Sequence, residues 1–95
     1  MPPRNNPLVP SREERLLSIL HKLPHVDRQN RLMRVGDRAL AICLSFLRGH
    51  EQDWVLSQLT RGKAERIRDE LLLQKHLTMT VQQYHSTMDL VLEHL

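Results

Sequence analysis

Several things are scarce in this 95-residue chain, and each scarcity excludes something. It has a single cysteine, Cys43, so no internal disulfide and no thiolate metal cluster can form, and nothing asks for an oxidising compartment. Only three aromatic residues (Phe46, Trp54, Tyr84) and three glycines stand among many leucines. With few β-branched residues, that composition argues for helices rather than a sheet. No apolar run approaches the roughly 20 residues that cross a bilayer. The N-terminal MPPRNNPLVP has no apolar core behind Arg4 and does not look like a secretory signal; residues 1–10 read as a disordered, proline-stiffened lead-in. A reduced cytoplasm is the expected location. Charge of one sign is also missing as a cluster. Fourteen Lys and Arg against eleven Asp and Glu leave a net +3 spread along the chain, which favours a solvated mixed surface over a nucleic-acid or membrane patch.

What is present is one dense apolar stretch, Ala39 to Leu47, in which only Ser45 is polar. A segment that is hydrophobic on nearly every side belongs in the middle of a bundle, so the rest of residues 11–95 is expected to wrap it as one domain. A chain of this size buries roughly 60 to 65% of its unfolded surface and needs no staples.

The wrapping is predicted from caps and periodicity. Ser11 and Glu14 form an S-x-x-E capping box ahead of a first helix, Arg12 to Leu23, with Leu16, Leu17, Ile19, Leu20 and Leu23 on one face and Pro24 ending it. Asp27 is the expected cap of a second helix bearing Leu32, Met33 and Val35. Gly36 is expected as a left-handed C-terminal residue with Asp37 as the next N-cap. The central helix then runs from Arg38 to Arg48 and stops at Gly49. His50 to Leu59 forms a short fourth helix with Trp54, Val55, Leu56 and Leu59 inward. Thr60 caps a fifth, from Arg61 to about Lys75, with Ala64, Ile67, Leu71 and Leu72 inward and Leu73 outward. Thr80 and Gln83 mark a sixth, striped with Val81, Tyr84, Met88, Val91, Leu92 and Leu95; without that cap, Arg61 to Leu95 would read as one long helix. The fold class is all-α, a compact right-handed stack of about six short helices.

Chemistry finds little support. His21 and His25 are four residues apart, but Pro24 breaks the helix between them. His85 and His94 are separated by about 900° of helix rotation and face opposite ways. His85 with Asp89 supplies two ligands where a closed zinc site takes four. Cys43 sits in the apolar run, where desolvation opposes a thiolate, and Trp54 reads as a core anchor. Phosphate loops, nucleophile elbows and paired catalytic carboxylates are missing from the sequence. No catalytic, cofactor or metal residues are assigned, and an enzyme is not expected. The remaining candidate site is the outer face of the fifth helix, Glu65, Arg66, Asp69, Glu70 and Leu73, a charged ridge suited to docking a protein. Arg66 is spaced to pair with Asp69 or Glu70 along that helix.

Residues 60–71, TRGKAERIRDEL, resemble the pattern Ser-x-Arg-Ala-Ala-Glu-x-Leu-Arg-Glu-Asp-Leu in the C-terminal domain of the flagellar motor switch protein FliG. Upstream, LMRVGDRALAICL is similar to that family's Leu-Arg-Glu-Val-Asp followed by Glu-Leu-Ala-x-x-Leu, and downstream LTMTVQQYHSTMDLVLEHL is similar to its final helix. The resemblance covers about residues 27–95. It implies an armadillo-like stack serving as a rotor or export-apparatus scaffold part, with a ridge that meets a stator loop by charge complementarity and Asp69 and Glu70 as its acidic pair. Departures are Gly62 and Thr78 where the family has arginines, Ser45 where it has a lysine, and the missing Gly-Pro before the last helix. These weigh against torque generation and towards a docking module for other proteins of a cytoplasmic or membrane-associated assembly. The alternative is a small basic nucleic-acid-binding helical protein.

Overall fold

The computed structural model describes residues 10–95, so all but the last residue of the expected lead-in lies outside the described residues. The leucine-rich, glycine-poor composition folds as six helices: α1 (Arg12–Lys22), α2 (His25–Arg34), α3 (Asp37–Leu44), α4 (Gly49–Ser57), α5 (Arg61–Gln74) and α6 (Val81–His94). There is no strand among the described residues. Connections of two to six residues keep each helix against the next, and buried side chains from all six meet in one apolar cluster.

The middle of that cluster is α3. Leu40, Ala41, Cys43 and Leu44 are fully buried, and the helix packs mainly against α5 on one side and α6 on the other. It is shorter than its sequence predicts. Ser45 turns back on Ile42, its hydroxyl donating to the Ile42 carbonyl at 2.6 Å, and Gln52 donates to the Leu44 carbonyl at 2.7 Å. Those two bonds meet carbonyls at the helix end, and the chain leaves the axis. Leu47 still reaches the core while Phe46 swings out, 61% exposed, so the apolar run is not covered along its whole length.

Local caps form where side chain and amide are close in sequence. Ser11 accepts from the Glu14 amide at 3.1 Å, although Glu14 takes the Ser11 hydroxyl rather than its amide. Thr60 accepts from the Lys63 amide at 3.4 Å. Thr80 and Gln83 form the full reciprocal box, at 3.1 and 3.0 Å, and the separate sixth helix exists as expected.

Three boundary assignments are corrected. Pro24, not Asp27, precedes α2: its fixed φ of −57° with an extended ψ of 152° starts the helix directly, leaving Asp27 in the first turn. Gly36 is not left-handed. Its φ is −60°, it is the N-cap of α3, and Asp37 is the first helical residue. Gly49 opens α4 instead of closing α3, because the Arg48 amide donates to Glu51 at 2.9 Å and fixes the helix start one residue earlier.

Two core assignments are corrected as well. Leu72 is 58% exposed, since it lies about 140° around the helix from fully buried Ile67. Val81 is 70% exposed. It shares the angular position of Met88 but sits about 10.5 Å nearer the helix start. Trp54 is half-buried at the core edge, its ring stacked on His21 with centroids 4.0 Å apart and the Arg28 guanidinium over it.

Candidate functional site

All five ridge residues lie on α5, but the structure divides them. Arg66 does not pair along its own helix; its Nε donates to Asp37 at 2.8 Å. Asp37 also lies 3.3 Å from the buried Lys63 ammonium. Arg66 first, and Lys63 with it, hold the Asp37 carboxyl below its ordinary value against the opposing effect of desolvation. Glu70 is half-buried and faces Arg38 at 3.7 Å, too far for a hydrogen bond. Glu65 pairs with Arg61 across one turn at 3.2 Å. Arg66 and Glu70 thus lean onto the start of α3, and the exposed crest is left to Glu65, Asp69 and Leu73. Asp69 has no ion pair among the described residues.

The opposite flank of α5 was not legible as a site. There Leu71 and Leu72, with Phe46, Leu56, Leu77 and Met79, line a cleft of about 540 Å³ between α5, α4 and the turn after α3. Arg68 lines it from α5, Lys75 from the C-cap of that helix and Asp53 from α4. Phe46, Leu72 and Leu77 are each at least half exposed. The missed signal is a periodic one: Arg68, Leu71, Leu72 and Lys75 recur at i, i+3, i+4 and i+7, the spacing of one helix face. A second recess of about 520 Å³, lined by Arg38, Thr78, Gln83 and Thr87 among others, lies towards α6 and is more polar.

Three other side chains, Cys43, Tyr84 and Asp89, are sealed or occupied. Burial pushes the Cys43 thiol up to about 12. Burial, and then the Glu13 carboxylate, raise the Tyr84 phenol; its ring meets Phe46 edge-on at 4.6 Å. Asp89, considered as a partner for His85, is instead held in a two-pronged bond by Arg12 at 2.8 and 3.1 Å. No group of three or more His, Cys, Asp or Glu among the described residues is placed to hold a metal ion. Comparison of the chain with family models, with curated proteins and with solved structures finds no match.

Proposed function

We propose that this chain is a non-enzymatic helical module that docks other proteins through the exposed edge of α5. One observation carries the reading: of seven large apolar side chains exposed among the described residues, Phe46, Leu72 and Leu77 line a single cleft, and Leu73 is exposed on the ridge of the same helix. Exposed apolar residues scattered singly are ordinary, whereas a grouped set rimmed by polar residues marks an interaction surface. The resemblance of residues 27–95 to the C-terminal domain of FliG supports the same reading, as a divergent armadillo-like relative in a cytoplasmic or membrane-associated assembly. No described helix is long and apolar enough to cross a membrane.

Nucleic acid is the weaker reading. Of the thirteen Lys and Arg among the described residues, Arg12, Arg38, Arg61, Lys63 and Arg66 are matched to carboxylates, and the rest are divided among α1, α2, the start of α4 and α5. Counterion release, the source of affinity for a phosphate backbone, needs unmatched cations acting together.

The test is capture of partners from the source cell by wild type and by the double variant Asp69→Lys, Leu72→Glu. Both positions are exposed, so the variant keeps its circular dichroism and loses the partner. Sub-micromolar DNA binding by wild type that weakens steeply between about 50 and 200 mM salt, with capture unchanged in the variant, overturns the proposal.

A further inference from the structure

We infer that the cleft beside α5 receives an amphipathic helix of a partner protein, with two acidic side chains seven residues apart bracketing a pair of apolar ones. This deepens the docking reading above and rests on it.

The spacing of the cleft's own residues sets the chemistry. Arg68 and Lys75 stand at either end of the Leu71–Leu72 pair, about 10.5 Å apart along the axis, and both line the cleft. Neither makes an ion pair among the described residues. The one acid on the cleft, Asp53, lies on the α4 side. A helix laid along α5 repeats the same rise, so its acids fall opposite the two cations when they are also seven residues apart. Its apolar pair then meets Leu71, Leu72, Phe46 and Leu77.

A helix fits better than the other occupants. The fold offers no strand edge among the described residues to extend, and helix-in-groove docking uses anchors at this periodicity. A small ligand would need most of its surface enclosed, whereas the walls at Phe46, Leu72 and Leu77 stay half exposed or more. A second copy of this chain lacks the complementary pattern, because no two of its eleven acidic residues are seven positions apart.

The probe is a fluorescein-labelled, hydrocarbon-stapled fifteen-residue helix with glutamate at its fourth and eleventh positions, leucine at its seventh and eighth, and Ala and Gln elsewhere. Its control carries lysine in place of both glutamates. Fluorescence anisotropy should show the acidic peptide binding wild type at tens of micromolar and the lysine peptide about tenfold more weakly, an effect that shrinks with salt. In the variant Arg68→Glu, Lys75→Glu the order reverses; both side chains are exposed, and an unchanged melting curve certifies the fold. Equal binding of the two peptides, no binding of either, or an order that the variant leaves unchanged overturns the inference. So does a concentration-dependent dimer in sedimentation that Leu72→Glu abolishes, which would make a second copy the occupant. Partner capture separates the two levels. If Asp69→Lys, Leu72→Glu loses the partner while Arg68→Glu, Lys75→Glu retains it, docking stands and the acidic helix falls; if both variants retain the partner as wild type does, docking itself fails.

Discussion

The buried ammonium of Lys63 lies 3.3 Å from the Asp37 carboxylate and donates to the carbonyl oxygens of Met33, at 3.1 Å, and Val35. One side chain of α5 therefore closes the end of α2 and holds the start of α3. A helix that ends without a left-handed glycine leaves carbonyls to be satisfied by something else, and here that is a cation thirty residues further along the chain. Arg28 does the same for α1, donating to the Leu20 and Leu23 carbonyls at 2.8 and 3.0 Å.

Lys63→Met should therefore destabilise the fold although it exchanges a charge for an apolar side chain of similar length. It strands two carbonyls and leaves Asp37 with Arg66 alone. The loss is about 1.5 to 3 kcal/mol, the range for hydrogen bonds to a charged group, read from a urea midpoint. A midpoint at or above that of wild type would show that water replaces the ammonium without loss.

Asp37 also gives the fold an acid limit. Its folded-state pKa lies below the ordinary value of 3.8, as does that of Asp89 through Arg12. Each contribution is thus fully present above the unfolded value and is lost as pH falls through the folded one. Stability should drop below about pH 4, and Asp37→Asn together with Asp89→Asn should flatten that limb while lowering stability at pH 7. Thermal melts from pH 2 to 7 check it; an acid limb of unchanged steepness in the double variant would place the sensitivity elsewhere.

Leu44 and Leu72 test the two environments of leucine in this chain. Leu44 is fully buried in α3 and Leu72 is 58% exposed on α5. Leu44→Ala should cost about 2 to 5 kcal/mol by leaving a cavity, and Leu72→Ala no more than about 0.5 kcal/mol, as for surface positions. Equal costs in chemical denaturation would mean that the cleft closes over Leu72 in solution.

These residues also mark how far sequence reasoning reaches. Ser11, Thr60 and Thr80 are readable because a cap is a contact between residues three apart. Gly36 and Gly49 mislead for the opposite reason. The ends they seem to supply are made by Lys63 and by Gln52 from other helices, and no local pattern announces a long-range cap. Ridge residues are placed on α5 by their period alone, but the partners of Arg66 and Glu70 sit on α3 and not along the helix. Leu72 reads as inward only if the apolar face of α5 is wider than it is; the buried face extends instead towards Lys63, half a turn around the helix from Leu72.

Cys43 offers a probe of how tightly the wrapping around α3 holds. Its side chain is fully buried and burial lifts its thiol from 9.0 to about 12, so the thiolate that reacts with alkylating or disulfide reagents is scarce and covered. Labelling of the folded protein at pH 8 should be on the order of a thousandfold slower than in concentrated urea, and should track global unfolding as denaturant is added. The same shift sets an alkaline limit. A folded pKa raised above the unfolded one contributes stability that is whole below about pH 9 and is lost as pH rises towards 12, so Cys43→Ala, though it starts less stable, should lose less over that window. Rapid labelling of the native chain, insensitive to added denaturant, would show instead that α3 opens locally while the other helices remain folded.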